Sequence, residues 1–167
     1  CQTTVRDAIG DMRPIASGEC DEMDKLHKSS KLNNLNMLRM LASRPGGTWK
    51  DWPAELLNNC HIKPSGSSYI GVYGRMEWDK PSPTITTLCY GYGNGRFGHP
   101  EQPRAISLRE AALLQGFPID YEFSANNEAP QFRRIGRMIG NSVPVRLGEV
   151  IGQTFREHVR RIGSAAA

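Results

Sequence analysis

A short helix with distinct start and stop signals constrains the fold of this chain more than any other stretch. Ser107 and Glu110 stand in the S-x-x-E pattern of a capping box, in which each side chain accepts a hydrogen bond from the other residue's backbone N–H. An apolar run of Ala and Leu follows, and Gly116 with Pro118 ends it. Because the body of this predicted helix is apolar, we expect the rest of the chain to pack around it.

Length and composition bound the kinds of protein that this chain can be. Its 167 residues suffice for one modest domain, or for a small lobe with a helical extension. Apolar runs stay well short of the roughly 20 residues needed to span a bilayer, so we expect no membrane partner. The four cysteines are scattered without a C-x-x-C pair, which predicts reduced thiols inside a cell. Because the first residue is Cys1, we expect a fragment of a longer reading frame.

The net charge of +4 is concentrated near the C-terminus. Residues 131–162 hold seven Arg against Glu149 and Glu157, so this stretch carries +5 and the rest of the chain about −1. A basic end suits a polyanionic partner. The alternative is an ordinary solvated helix face.

Hydrophobic periodicity and turn signals predict the remaining elements. A helix runs to Ala42 behind a cap at Ser29 or Ser30, with a Leu/Met stripe assigned to the core. Residues 69–73 and 83–90 have the composition typical of strands. Residues 143–162 carry an apolar stripe at helical spacing opposite several Arg, with Ser142 as a cap and Pro144 in the first turn.

Together these elements predict an α+β fold. It consists of a small, loop-rich lobe with short β-strands, a capped central helix and a C-terminal amphipathic helix. The expected divisions are a lead-in at residues 1–31, the lobe at 32–102, the central helix and a loop at 103–131, a C-terminal helical part at 132–162 and a frayed tail at 163–167. Residues 126–130 are predicted to be loop.

Two patterns in the sequence suggest small-ligand sites, but neither has the sequence context that such a site requires. The first is a scattered set of metal-ligand residue types that matches no zinc pattern, so we predict no metal site and a local hydrogen-bonding role for His27. The set is Cys20, Asp24, His27, Cys60 and His61. The second is G-x-G-x-x-G from Gly93 to Gly98, which needs a following helix to bind a nucleotide. Pro100 and Pro103 exclude that helix.

Four stretches in order carry a resemblance to a known family. Residues 73–87 and 95–102 precede the central helix, which lies in residues 103–118, and residues 139–144 follow it. Residues 103–118 resemble the ninth conserved motif of the DNA (cytosine-5)-methyltransferases, and residues 139–144 resemble the tenth. The similarity runs from about residue 4 to about residue 162. It implies that the lobe is a target recognition domain, whose loops enter the major groove of double-stranded DNA.

The resemblance also implies which residues meet DNA. Thr86 and Thr87 align with a Thr-containing dipeptide that sits beside the target nucleotide in the family. Hydroxyl groups there can donate to a phosphate while the base is turned out. Arg and Asn side chains in this region are candidates for phosphate or base-edge contacts. The DNA-binding candidates are Arg75, Thr84, Thr86, Thr87, Asn94 and Arg96. The structural alternative for 84–87 is a β-branched strand.

The same resemblance implies a shared cofactor site. The residues that match the tenth motif line the S-adenosyl-L-methionine pocket in the family, which makes Asn141, Ser142 and Val143 the cofactor candidates. A turn at Gly140 before a helix N-terminus would also favour an anionic ligand group, although helix capping alone could explain the pattern. The residues assigned to the structure of the two motifs are Arg104, Ser107, Arg109, Glu110, Gln115, Gly140 and Pro144.

Several family motifs have no match in this chain. These are the Phe-x-Gly-x-Gly cofactor motif, the Pro-Cys nucleophile, Glu-Asn-Val and Gln-x-Arg-x-Arg. Cys1 is followed by Gln2 but lacks the preceding Pro and the Gly-rich approach, so it is not matched to the nucleophile. The resemblance therefore covers a C-terminal half, for which we predict no catalytic residue and no activity alone.

Three hypotheses follow from the sequence. The first is the recognition half of a cytosine-5 methyltransferase from the bacterial cytoplasm, working with a catalytic half in the same parent chain or in a separate subunit. The second is a DNA-binding module that reads sequence without catalysis. The third is a structural fragment whose motifs are relics.

Overall fold

Helices joined by long loops make up the part of the chain that the computed structural model describes, which is residues 3–66, 68–123 and 131–165. In chain order the α-helices there are α1 (Val5–Ile9), α2 (Asn34–Ala42), α3 (Asn59–Ile62), α4 (Leu108–Leu114), α5 (Phe132–Asn141) and α6 (Val145–Ala165). The same residues include short 3-10 helices at Trp49–Asp51, Ala54–Leu56, Pro64–Gly66 and Tyr92–Asn94. The loop predicted at 126–130 lies outside the described residues.

The described residues contain single β-bridges but no strand, so the predictions of strands at residues 69–73 and 83–90 are wrong. Residues 70–73 form turns, and in residues 83–90 the part up to Thr86 is irregular and the rest is a turn. Burial does alternate along the second stretch as it would in a strand, because Ile85 is buried while Thr84 and Thr86 are exposed. No ladder of the described chain includes that backbone. Bridges instead join Pro45 to Arg75, Arg75 to Gly98, Gly98 to Ala105 and Cys20 to Lys28.

The central helix α4 forms where the sequence predicts it. Its capping box is present: the Glu110 N–H donates to Ser107 Oγ at 3.0 Å, and the Ser107 N–H donates to Glu110 Oε2 at 2.6 Å. The N–H groups of Leu108 and Arg109 donate to the backbone carbonyls of residues 28 and 26. Because the lead-in satisfies these donors, the start of α4 is closed to an anion.

His27 completes the junction between the lead-in and α4. Its Nε2–H donates to the Arg13 carbonyl at 2.7 Å, and its Nδ1 is hydrogen-bonded to the Ser107 hydroxyl at 2.8 Å. The prediction that His27 forms hydrogen bonds is confirmed, but the expectation that they are local is wrong, because the partners lie 14 and 80 positions away. Arg109 adds a second tie, because its guanidinium donates to both carboxylate oxygens of Asp24, at 2.6 and 3.1 Å.

A buried ion pair lies beneath the cap of α4. Arg104 and Glu110 are both 0% exposed, and two N–O contacts of 2.7 Å join them. Burial alone would raise the pKa of Glu110, but the hydrogen bonds and charge of Arg104 outweigh it and hold that pKa below its ordinary value. The same guanidinium donates to the Ile15 carbonyl at 3.0 Å, which ties the lead-in to the pair.

His99 packs beside this ion pair as a neutral ring. Its Nδ1 accepts from the backbone N–H groups of Glu101 and Gln102, at 3.1 and 2.9 Å. Burial lowers the pKa of His99 to about 4, and the nearby Glu110 carboxylate offsets only part of that effect. The rings of His99 and Trp78 are nearly perpendicular, with centroids 5.2 Å apart.

Two apolar clusters surround these polar contacts. Helices α1 and α5 both pack against α4. The first cluster includes Val5, Ile9, Ile85, Cys89, Ile106, Leu108, Ala111, Ile135 and Ile139. The second cluster includes Met40, Trp49, Trp52, Leu56, Tyr92 and Ala105. The expectation that the chain packs around α4 is confirmed by the first cluster.

Two helix predictions need correction. Helix α2 begins behind Asn33, not Ser29 or Ser30, because those serines bond elsewhere: Ser29 Oγ donates to the Ala16 carbonyl and Ser30 Oγ to that of Tyr90. Of its apolar stripe only Met40 is fully buried, and three of the leucines are exposed. At the C-terminus, α5 was not predicted, and α6 continues to Ala165 through part of the predicted tail.

Removing the buried carboxylate should destabilise the fold far more than removing an exposed one. We expect Glu110→Gln to lower the free energy of unfolding by about 3 kcal/mol, since Arg104 keeps a buried charge without its counter-charge. The matched control is Glu149→Gln, which removes the exposed partner of Arg146 and should cost less than about 1 kcal/mol. Urea unfolding monitored by circular dichroism measures both. Equal losses would contradict the assigned role of the pair.

The neutral state of His99 predicts a pH-dependent stability. The unfolded chain takes up a proton near pH 6.5, whereas the folded ring resists protonation down to about pH 4, so stability falls as the pH drops through this window. The expected loss between pH 7.5 and 5.5 is about 1 kcal/mol. His99→Asn keeps an acceptor near the Nδ1 position and should flatten the urea midpoint against pH. His158→Asn, at an exposed position, should leave the slope unchanged.

Candidate functional site

Thr84, Thr86 and Thr87 form a segment, here called the threonine edge, that is anchored by buried neighbouring side chains. Thr84 and Thr86 are exposed and Thr87 is half-buried, while the side chains of Ile85 and Cys89 enter the first apolar cluster. The Thr86 carbonyl accepts from the Cys89 N–H at 3.0 Å, which closes the turn that follows. The hydroxyl groups of Thr84 and Thr86 therefore face outward from a fixed segment.

Gly140 lies directly on the peptide between Thr86 and Thr87. A Cβ at Gly140 would overlap the Thr86 carbonyl group and the Thr87 nitrogen. One helical turn earlier, a Cβ at Gly136 would overlap the ring of Tyr90. Residues four apart in a helix share a face, so one face of α5 meets the turn at Thr86, Thr87 and Tyr90.

The residues matched to the cofactor site end a helix instead of beginning one. Gly140 and Asn141 form the last turn of α5, and Ser142 is its C-terminal cap. The prediction of exposed N–H groups at a helix start is wrong here, because α5 buries Ile135 and Ile139 and runs unbroken up to this point. Pro144 does precede the next helix, and its carbonyl accepts from the N–H groups of residues 147 and 148.

A side-chain hydrogen bond holds this cap to α4. Gln115 Nε2 donates to the Ser142 carbonyl at 2.7 Å. The Ser142 hydroxyl donates to the Ile139 carbonyl at 2.6 Å, so its proton is used within α5. Asn141 and Val143 are exposed. Of the three cofactor candidates, these two present exposed side chains, and Asn141 directly follows Gly140.

Arg75 is occupied by the fold. It is buried, and its guanidinium donates to the backbone carbonyls of Ser43, His99 and Pro100, at 3.2, 2.9 and 2.9 Å. Burial lowers the pKa of Arg75, in keeping with its enclosed position. These contacts favour a structural role for Arg75 at the point where two β-bridges meet.

The two remaining DNA candidates, Asn94 and Arg96, lie in the Gly-rich segment at residues 91–98. Asn94 is exposed at the end of the 3-10 helix Tyr92–Asn94, and its amide reaches the Leu88 carbonyl at 3.5 Å. Arg96 is half-buried and donates to the Gly46 carbonyl at 3.1 Å. Asn94 is therefore linked to the turn that follows the threonine edge, whereas Arg96 is linked to the loop after α2.

The sequence did not indicate a buried polar network that holds this lobe. Ser43 Oγ contacts the Tyr92 hydroxyl at 2.7 Å and accepts from Trp52 Nε1 at 2.9 Å. Arg39 donates to the Leu56 carbonyl at 2.8 Å and to Asn58 Oδ1 at 2.6 Å. The tryptophan and tyrosine content of residues 49–92 was the available signal. The Gly-x-x-x-Gly spacing of 136–140 likewise signalled the face of α5.

No described cysteine is arranged as an activated nucleophile. Cys89 is 0% exposed, and burial raises its pKa to about 12, so its thiol stays protonated near neutral pH. Cys20 and Cys60 are free and exposed. Among the described residues no cluster of His, Cys, Asp and Glu could hold a metal ion. Within the same residues no helix has both the length and the apolarity to cross a membrane.

Helix α6 carries an apolar face that nothing in the described chain covers. Its members are between 45% and 67% exposed: Leu147, Val150, Ile151, Phe155, Val159 and Ile162. Arg146 on this helix pairs with Glu149 at 3.1 Å. A face of this size and regularity is typical of a surface that meets another protein part.

Comparison with known proteins identifies the family. The model of the C-5 cytosine-specific DNA methylases matches residues 2–157. This chain belongs to that family. A type II methylase of Herpetosiphon aurantiacus, M.HgiDII, is 58% identical over 153 residues, which cover 92% of this chain and 43% of the relative. The type II methyltransferase M.Sau96I of Staphylococcus aureus is 36% identical over 119 residues, 70% of this chain and 26% of the relative.

The methylase similarity extends to plants. DNA (cytosine-5)-methyltransferase 3 of Arabidopsis thaliana is 37% identical over 186 aligned residues, which include 95% of this chain and 13% of that protein. The chain thus spans less than half the length of each of these relatives. The expected membership of the cytosine-5 DNA methylase family is confirmed.

The difference in thiol environment predicts a difference in reactivity. We expect iodoacetamide to alkylate Cys20 and Cys60 in the folded chain and to leave Cys89 unmodified, because only the thiolate attacks and Cys89 is buried and protonated. Peptide mass spectrometry after alkylation at pH 7.5 measures this. The control is alkylation in urea, where Cys89 should react as well. Rapid labelling of native Cys89 would contradict the assigned burial.

Proposed function

We propose that this chain is the target-recognition part of a cytosine-5 DNA methyltransferase and that it completes the S-adenosyl-L-methionine site. The reaction is methyl transfer from that cofactor to C5 of a cytosine turned out of double-stranded DNA. A catalytic half, in the same parent chain or in a separate subunit, supplies the nucleophilic thiolate. The chain alone is inactive, and we propose a bacterial intracellular location in keeping with the bacterial relatives.

The observation that carries this proposal is the contact between two exposed segments. The threonine edge and the end of α5 touch at Gly140, so that exposed Thr86 and exposed Asn141 lie on adjacent backbones. By sequence resemblance, we assign one segment to the part of the family that meets the target nucleotide and the other to a cofactor-site motif. Bringing a base and a methyl donor together requires such an arrangement.

Side chains of the lobe have separate roles toward DNA. The hydroxyl groups of Thr84, Thr86 and Thr87 donate to phosphate oxygens beside the flipped nucleotide. Asn94 and Arg96 contact phosphate or base edges nearby. Arg75 is left out of this set, because its guanidinium already serves three backbone carbonyls. The lobe, proposed as an α+β target recognition domain, holds these groups in place.

The end of α5 fits one wall of a cofactor site. S-adenosyl-L-methionine, when bound, supplies an electrophilic methyl group. The exposed amide of Asn141 can hydrogen-bond polar atoms of the cofactor, and the exposed side chain of Val143 can pack on an apolar part of it. The oxygen of Ser142 keeps an acceptor lone pair, although its proton is used within the helix. The rest of the pocket belongs to the catalytic half.

The apolar face of α6 is the proposed docking surface for that catalytic half. Covering side chains that are now 45–67% exposed would provide the hydrophobic contribution to association. Arginines on the opposite side of α6 lie outside this interface. The alternative function is a DNA-binding module that reads sequence without catalysis, and the basic C-terminal stretch agrees with either function.

The test is complementation with the part of M.HgiDII that this chain does not cover. We expect labelled S-adenosyl-L-methionine to transfer its methyl group to mixed-sequence duplex DNA only when both parts are present. Thr86→Ala should weaken DNA binding about fivefold, the loss of roughly one hydrogen bond. The matched control is Thr154→Ala on α6, which should leave binding unchanged.

Each other outcome points to a different conclusion. DNA binding without methyl transfer in either arm favours the non-catalytic module, and its affinity should then fall linearly against salt on logarithmic axes. Methyl transfer by this chain alone would overturn the predicted inactivity. Absence of DNA binding at every salt concentration would remove both functions.

A further inference from the structure

We propose that Gly140 is a positioning residue for DNA recognition, and that it acts by setting the backbone of Thr86 and Thr87. This inference rests on the proposed function of the threonine edge. It assigns to the tenth-motif glycine a role toward DNA that is separate from its neighbours' proposed role toward the cofactor.

The first step is the closeness of the two backbones. The position of a Gly140 Cβ is already filled by the Thr86 carbonyl group and the Thr87 nitrogen. Both sides of this contact are main chain, so a methyl group there must displace either α5 or the threonine edge. No rotamer change can relieve the overlap, unlike at Gly136, where the obstructing atoms belong to the Tyr90 ring.

The second step is that α5 is the better-fixed partner. Its apolar side chains Ile135 and Ile139 are buried in the first cluster against α4, and Gln115 holds its C-terminal cap. Residues 81–86 have no ladder hydrogen bonds within the described chain. A methyl group at position 140 therefore moves the Thr86–Thr87 peptide, and with it the exposed hydroxyls that face DNA.

The third step is a contrast with the other glycines of the C-terminal part. Gly148 and Gly152 on α6 have open space where an added methyl group would lie, with no atom within 4 Å of that position. Their replacement by Ala changes helix propensity alone. Gly152→Ala is therefore a matched control for the general effect of Gly→Ala in a helix.

The experiment is a double-mutant cycle on DNA affinity in the full chain, with mixed-sequence 30-bp duplexes as the probe. We expect Gly140→Ala and Thr86→Ala each to weaken binding about fivefold, and the double variant to be no weaker than either one. Gly152→Ala should bind as the parent does. A purely structural role for Gly140 would instead give additive losses, because the threonine contact would survive in the folded fraction.

A second variant and a spectroscopic measurement keep the test decisive if Gly140→Ala folds poorly. Gln115→Ala removes the hydrogen bond to the cap of α5 without a steric clash, and we expect it to weaken DNA binding. The double variant Gln115→Ala with Thr86→Ala should bind no more weakly than either single variant. Backbone amide NMR should report a shifted Thr87 resonance in both variants and not in Gly152→Ala. Additive losses, or an unmoved Thr87 amide, would overturn the inference while the proposed function stands. If Thr86→Ala binds DNA normally, the role proposed for Thr86 fails and the inference fails with it.

Discussion

The buried pair of Arg104 and Glu110 is the interaction on which the rest of this structure depends. Glu110 accepts from Arg104 and from the Ser107 N–H at once, so one carboxylate serves both the ion pair and the helix cap. Arg104 in turn reaches the Ile15 carbonyl, which joins the lead-in to the same centre. Such a pair is costly to bury, and removal of either partner leaves the other as an uncompensated buried charge.

From this centre the constraints pass outward to the candidate site. The position of α4 fixes α5 through apolar packing and through the bond from Gln115 to Ser142. The position of α5 then fixes the threonine edge through Gly140. Among the residues proposed to touch DNA and cofactor, Thr84, Thr86 and Asn141 are exposed, although the segments that carry them also hold the buried Ile85 and Ile139.

The sequence predicted the parts of this structure that depend on local chemistry. The capping box at Ser107 and Glu110 formed as expected, because its hydrogen bonds join residues only three apart. The strands at 69–73 and 83–90 did not form, because a strand needs a partner and β-branched composition cannot provide one. Helix α5 was not predicted, because its start carries no capping residue. The cap of α2 was assigned to Ser29 or Ser30 instead of Asn33, because the sequence does not show that both serines bond to distant residues.

In the candidate site, too, the sequence indicated residues within motifs but not the contacts between residues that lie far apart in the chain. The threonines and Asn141 were identified by motif, and their roles and the α+β description of the lobe stay predictions. Arg75 illustrates the limit of composition, because a loop arginine before a Gly-rich stretch gives no sign that three carbonyls will enclose it. The contact of Gly140 with Thr86 joins residues more than fifty positions apart, which no spacing rule could indicate.

The tie between His27 and Ser107 also has a consequence for the order of folding. The two residues stand 80 positions apart, so α4 can form its local capping box early but cannot close its first turn against the lead-in until that long loop is complete. During synthesis at about 5–20 residues per second, the lead-in waits roughly 4–16 s for its partner to emerge. Residues 32–102 are made within that interval, so this part of the chain is complete before the junction between the lead-in and α4 can close.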